Sequence, residues 1–257
     1  MYPILFSIGG FAVYTYGVFV FLGVTTAYLV SRSAALRRGI DPLVFDSIFF
    51  WTIFYGFLGA RLLFVAVEWQ YFSAHIREAV FSRSGFVFFG GLAAGLPALW
   101  FLAKRKGVYP LSLLDALAVG GPLGHAFGRL GCFFQGCCYG RQSGSWLALR
   151  FPPESAAGAL GGKVIPTQLW EALFLFLLFI FTFWSDRPTA QSGRSVMPGK
   201  LAVTYLFSYG TFRFIIEFFR GDPRGSFGGL STSQWIAAIV VICGVFLWRQ
   251  VKEHKYI

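Results

Sequence analysis

The sequence predicts an all-α polytopic membrane protein with seven transmembrane helices, the N-terminus outside and the C-terminus in the cytoplasm. Three observations carry this. Of 257 residues, 56% are hydrophobic and only 13% charged, a balance that belongs to membrane proteins rather than soluble domains. Phenylalanine occurs 32 times, more than a soluble core of this size accommodates. The apolar residues also gather into windows that reach the roughly 20 residues a bilayer crossing requires.

In chain order the windows are 11–31, 44–66, 85–103, 111–131, 167–185, 199–218 and 234–249. The fourth has the weakest boundaries, because it carries Asp115, His125 and several glycines. The start of the chain lacks a basic stretch, so no cleavable signal peptide is expected. The chain then forms one integral membrane domain over 1–257, with an external loop or arm at 132–166. The segment 141–165, rich in Gly, Ser, Pro and Ala, is either a mobile arm that shapes access for a substrate or an unstructured connector.

The formal net charge is +11, but its distribution argues against a nucleic-acid partner. Arg32, Arg37 and Arg38 follow the first window, and Lys104, Arg105 and Lys106 follow the third. Arg187, Arg194 and Lys200 follow the fifth, while Arg249, Lys252 and Lys255 follow the seventh. Every second loop is therefore basic, the positive-inside pattern, and it meets anionic lipid at the bilayer surface. Arg83 reads as an ordinary loop charge.

Three further arginines need a different explanation. Arg61, Arg129 and Arg213 lie in or beside apolar windows, toward their outer ends. A guanidinium at membrane depth costs about 2.5–3.5 kcal/mol on insertion scales. It cannot shed its proton, and its planar fork matches phosphate or carboxylate. Arginines from three windows at similar depth therefore point to a buried site for an anionic lipid headgroup.

Two strings surround them. In Gly124-His125-Ala126-Phe127-Gly128-Arg129-Leu130-Gly131-Cys132-Phe133-Phe134-Gln135-Gly136-Cys137-Cys138-Tyr139-Gly140, glycines at 124, 128 and 131 keep one helix face open to a backbone or a ligand. Gly136 and Gly140 then break the helix. In Arg213-Phe214-Ile215-Ile216-Glu217-Phe218-Phe219-Arg220, the three charged residues share a helix face. Glu217 either holds Arg213 in place or acts as a base. Thr167, Gln168 and Glu171 open the fifth window, and Ser231 to Gln234 open the seventh, where helix capping accounts for them.

Cys132, Cys137 and Cys138 stand close in sequence beside His125. They read as small packing residues, as a disulfide or, with lower weight, as metal ligands or a nucleophile. No metal and no cofactor is assigned, since no CxxC spacing, P-loop or dinucleotide fingerprint occurs. Cys243 reads as a core residue of the last window.

Together these strings resemble the phosphatidylglycerol–prolipoprotein diacylglyceryl transferases, over nearly the whole chain. Tyr14-Thr15-Tyr16-Gly17 is similar to the family's aromatic–Tyr–Gly motif, with Tyr16 the matching tyrosine. Gly59-Ala60-Arg61 resembles its Gly-Gly/Ala-Arg element. Gly128-Arg129-Leu130-Gly131, continued to Gly140, overlays Gly-Arg-x-Gly-Asn-Phe-x-Asn-x-Glu-x-x-Gly, and Arg213 to Arg220 matches Arg-Phe-x-x-Glu-x-x-Arg. The chain also departs from the pattern. Cys132, Gln135 and Cys137 replace Asn, Asn and Glu; Phe89 replaces the His of a His-Gly-Gly element; Ile165 replaces a His before Pro-x-Gln. It is identified as a divergent member.

The resemblance implies a multi-pass enzyme of the bacterial cytoplasmic membrane, with phosphatidylglycerol as donor and the lipobox cysteine of a prolipoprotein as acceptor. It implies phosphate stabilisation by Arg129 and Arg213, and donor binding or positioning by Tyr16, Arg61, Gly90, Gly91, Gly128, Gln135, Gly140 and Arg220. With Phe89 in place of the histidine, Glu217 and His125 are the candidates for a base. Two readings compete with this one. The same lipid donor serves a different acceptor, or the arginines bind and release lipid headgroups in a transporter that frees no glycerol phosphate.

Overall fold

The computed structural model describes residues 3–9, 11–81, 85–187, 197–222 and 225–253. Arg83, Arg194 and Lys255 lie outside the described residues. Among those described, seven long helices follow the predicted windows closely. They are α1 (Thr15–Arg37), α2 (Pro42–Val67), α5 (Phe88–Arg105), α6 (Pro110–Gln135), α7 (Thr167–Ser185), α8 (Lys200–Ile216) and α9 (Thr232–Glu253). Short helices α3 (Trp69–Phe72) and α4 (Ile76–Phe81) follow α2. Two small antiparallel hairpins complete the chain, β1 (Ile4–Ile8) with β2 (Phe11–Tyr14) and β3 (Ser226–Phe227) with β4 (Leu230–Ser231).

Four helices, α1, α2, α7 and α9, are long and apolar enough to cross a membrane. The expected seven spans are thus supported as helices throughout and as membrane spans in part. The other three differ for separate reasons: α8 is only 17 residues long, α5 ends on Lys104 and Arg105, and α6 carries Asp115, His125, Arg129 and several glycines. The distribution of side chains is that of a protein solvated by lipid. Phe50, Phe54, Phe57 and Leu62 on α2 are exposed, as are Leu173, Leu177, Phe181 and Trp184 on α7. Thr167, Gln168 and Glu171, on the same α7, are fully buried. Polar groups inside and apolar groups outside is the arrangement hydrocarbon requires.

The chain forms two compact units, one of residues 35–113 and one of residues up to 34 together with 114 onward. In the first, α2 and α5 cross closely at small residues. A side chain on Gly59 would collide with Ala94 and the Gly90 carbonyl, and one on Gly91 would meet the Gly56 carbonyl at 3.1 Å. In the second unit, α6 lies along α1 by the same device: a Cβ on Gly124 would stand 2.7 Å from the Gly23 carbonyl. Stacked rings of Phe174 and Phe212, centroids 4.0 Å apart, join α7 to α8.

Asp115, which blurred the fourth window, is fully buried and caps a different helix. Its carboxylate accepts the backbone N–H of Gly199 at 2.8 Å and of Ala202 at 2.9 Å. It thereby satisfies donors that the start of α8 leaves unpaired and sits at the positive end of that helix. Asp115→Ala should lower stability in detergent by about 1–3 kcal/mol, the cost of stranding buried donors; an unchanged melting temperature would refute this.

The arm at 132–166 has a fold of its own. Leu149 and Val164 exchange backbone hydrogen bonds at 2.9 and 3.0 Å, and Tyr139, Phe151, Ala157 and Val164 pack into a small buried cluster. This rules out the unstructured connector. Cys243, read as core, is exposed on α9.

Candidate functional site

Glu171, one turn into α7, is the residue around which the buried charges gather. Its side chain has no exposed surface. Arg129 Nε of α6 lies 2.9 Å from Oε1, and Arg213 Nη1 of α8 lies 3.6 Å from Oε2. Arg213 in turn pairs with Glu217 through Nη2 at 2.7 Å, one helical turn along. The other oxygen of Glu217 accepts the Ser231 hydroxyl at 2.9 Å. The result is an alternating row, Arg129–Glu171–Arg213–Glu217, drawn from α6, α7, α8 and the 3-10 turn that follows α8. Placing a carboxylate between two guanidiniums is what makes them tolerable in a membrane interior.

Hydrogen-bond capacity is left over. Arg129 Nε and Arg213 Nη1 are buried and lack a hydrogen-bond partner of good geometry despite their ionic contacts. Arg129 also keeps 17% of its side-chain surface exposed. Next to it, a side chain on Gly128 would meet nothing within 4 Å. Elsewhere the same helix face is filled: Gly124 lies against α1, and a Cβ on Gly131 would touch Tyr16 and Phe19 at 3.1 Å. The opening at Gly128 therefore adjoins the exposed edge of Arg129.

A row of aromatic hydroxyls feeds into Glu171. Tyr209 donates to Glu171 Oε1 at 2.8 Å and lies 3.4 Å from both Arg129 Nη2 and His125 Nε2. His125 Nδ1 is 3.2 Å from the Tyr205 hydroxyl. With Tyr209 donating to Glu171, the imidazole carrying its proton on Nε2 satisfies every member: Tyr205 donates to Nδ1, and Nε2–H donates to Tyr209. His125 is thus a hydrogen-bonding link between hydroxyls of α8. His125→Gln, which still offers a donor and an acceptor, should keep transfer activity within about tenfold. A general base would lose about 10²–10⁴-fold.

Arg220 forms a second cluster just beyond α8. It is buried and holds Asp222 through two hydrogen bonds of 2.8 Å. Its backbone bridges to Gly140, and a Cβ on Gly140 would strike the carbonyls of Ile165 and Phe219 at 2.7 and 2.8 Å. Gly140 is glycine because three strands of backbone meet there. Gln135 is half-buried at the end of α6. Tyr16, at the start of α1, is 42% exposed.

The expected cluster of three arginines is thus realised for Arg129 and Arg213. Arg61 belongs to the other unit, where its guanidinium donates to the carbonyls of Ala79, Glu78 and Gly85 at 2.8, 2.8 and 3.1 Å. The rings of Phe64, Phe72 and Phe86 surround it within 6 Å, so it organises the loop between α2 and α5. Gly90 and Gly91 lie at the crossing of those two helices.

Sequence reasoning underrated α7. Thr167, Gln168 and Glu171 were expected as helix caps, but α7 has no side-chain cap. Thr167 and Gln168 instead donate to the carbonyls of Cys138 and Cys137 at 3.0 and 2.6 Å. Their signal was available: three polar residues on one face of a helix otherwise made of Leu, Phe and Ile. Ser231 and Gln234 do form a reciprocal cap at α9, with bonds of 2.9 and 3.2 Å, in the capping-box manner.

Apolar helices turned outward and a row of buried, paired charges within define an integral membrane protein with a polar centre. The profile of prolipoprotein diacylglyceryl transferase matches residues 3–250. The chain belongs to that family. It is 32% identical over 255 residues to a phosphatidylglycerol–prolipoprotein diacylglyceryl transferase of Clostridium tetani, covering 99% of this chain and all of the relative. A second transferase of that name, from Clostridium perfringens, is 32% identical over 96% of this chain and 94% of its own length. A third, from Dehalococcoides mccartyi, is 30% identical over 98% and 95%.

Proposed function

We propose that this protein is a phosphatidylglycerol–prolipoprotein diacylglyceryl transferase of the bacterial cytoplasmic membrane. Its seven long helices all span the bilayer, with the N-terminus outside and the basic loops and C-terminus in the cytoplasm. The observation that carries the reading is the pair Arg129 and Arg213, held on one buried carboxylate, with Arg129 keeping an exposed edge next to the open space at Gly128.

In the reaction, a thiolate of the lipobox cysteine attacks the C3 carbon of the glyceryl group. The carbon–sulfur bond forms as the bond from C3 to the phosphate oxygen breaks, and glycerol phosphate leaves. Negative charge grows on that phosphate, and preorganised guanidiniums stabilise it more in the transition state than in bound lipid. Arg129, partly exposed, contacts the phosphate; Arg213 sits behind Glu171 and completes the field. Tyr16, Gly128, Gln135, Gly140 and Arg220 shape and line the donor site, and the family resemblance carries donor positioning to Arg61, Gly90 and Gly91 as well.

The thiol proton passes to water and on to the departing glycerol phosphate, since a free thiol titrates near 8.5 and a nearby cation favours the thiolate. Glu217 has both oxygens engaged, which suits holding Arg213. The folded arm, with Trp146 87% exposed, guides the apolar acceptor segment. The test is transfer of labelled diacylglycerol from phosphatidylglycerol to a lipobox peptide by the purified protein. A thioether product and stoichiometric glycerol phosphate are expected. Lipid binding without either product would overturn the assignment.

A further inference from the structure

Cys132, Cys137 and Cys138 take no part in the reaction above, yet the backbone goes to some length to assemble them. Their sulfur atoms all lie within 4.8 Å of one another, and all three thiols are free and half-buried. Helix α6 ends at Gly136, which has φ 68°. There the Cys137 N–H donates to the Cys132 carbonyl at 3.2 Å and the Gly136 N–H to the Phe133 carbonyl at 3.1 Å. This is the Schellman closure, which sets the second residue past the helix against the third from its end. Here those residues are Cys137 and Cys132.

Cys138 follows with φ 60°, the only non-glycine residue at positive φ among the described residues. Glycine would occupy that conformation without strain, but the position carries a thiol. The left-handed turn brings neighbouring cysteines to one side, as the sulfur separations show. Gln168 and Thr167, both fully buried, clamp the carbonyls of Cys137 and Cys138, so the loop is fixed from behind by α7.

We propose that Cys132, Cys137 and Cys138 form a binding site for a soft divalent cation of the zinc class, held by three thiolates with a fourth position open to an exogenous ligand. Zinc–sulfur bonds of about 2.3 Å place tetrahedral sulfurs about 3.8 Å apart, so the cluster needs only a small contraction. Three thiolates and a dication leave one negative charge. Arg220, buried close to Cys138 and with no hydrogen-bond partner on its Nη1, supplies a cation to balance that charge. Spacing alone assigned no metal here, because adjacent cysteines in extended chain seldom share an ion. His125 is not a fourth ligand, since both its ring nitrogens are engaged by tyrosines.

The inference does not rest on the transfer reaction, because metal content is read separately from activity. Purified full-length protein is loaded with zinc, desalted and analysed for metal, and loaded in parallel with cobalt(II) for its thiolate charge-transfer absorbance. About one equivalent of zinc and a sulfur-to-cobalt band are expected. Cys132→Ser and Cys138→Ser should bind at least about tenfold more weakly, while Cys243→Ser is unchanged. The cobalt band identifies thiolate ligands in the wild-type chain even where a serine variant fails to fold. Loss of all metal on desalting, thiols that react equally fast with and without zinc, or a disulfide within the trio found by mass spectrometry would each overturn the proposal.

Discussion

Glu171→Gln should be the most damaging single substitution for the stability of this protein. The carboxylate is wholly buried and lies between Arg129 and Arg213, at 2.9 and 3.6 Å. Neutralising it leaves two guanidiniums facing each other, with Glu217 and the Tyr209 hydroxyl nearby to offset them in part. Removing one partner of a buried pair costs about 3–5 kcal/mol, because the remaining charge has lost its compensation. Gln preserves shape and a hydrogen bond to Tyr209, so the loss reports charge rather than packing. A melting curve in detergent reads it directly. Glu171→Asp, one methylene shorter but still charged, should recover part of the loss. A glutamine variant as stable as the parent would mean that the arginines are neutralised by something other than Glu171.

The helices were legible because their signal is collective. Twenty apolar residues in a row have few alternative fates, and each of the seven windows became a helix; the largest offset is in the first, where Phe11–Tyr14 form β2 and the helix runs on to Arg37. Arg129, Arg213 and Glu217 were legible for the opposite reason: a charge in such a window is costly enough to demand an account. Glu171 was obscured by position. At the start of a helix an acidic residue has a sufficient local explanation in capping and the helix dipole, and nothing in the one-dimensional pattern reveals that α6 and α8 bring two guanidiniums to it. Tyr205 and Tyr209 were hidden too, since tyrosine at a membrane helix needs no explanation until its hydroxyl is seen to have a partner. The thiol cluster depends on the hand of two residues, Gly136 and Cys138, and spacing carries no information on hand.

Arg129→Ala should reduce turnover by about 10²–10³-fold, the range seen when one preorganised stabiliser of a developing anion is removed, with a smaller effect on stability than Glu171→Gln. The two arginines differ in how they are held. Among the described residues Arg129 makes its ionic contact with Glu171 alone, and it retains an exposed edge, so its loss leaves the Glu171–Arg213–Glu217 row in place. Arg213 is shared by two buried carboxylates, and Arg213→Ala would remove the cation paired with Glu217 as well as weaken the field at the phosphate. It should therefore lose both activity and folded stability. Lysine separates charge from geometry: Arg129→Lys keeps the cation but loses the planar fork that engages two oxygens, and should recover only part of the rate. The comparison is made at saturating phosphatidylglycerol, so that turnover rather than donor binding is read. If Arg129→Ala stays folded and transfers at close to the parental rate, charge on the leaving phosphate is stabilised elsewhere, and the buried row serves the architecture of α6, α7 and α8 alone.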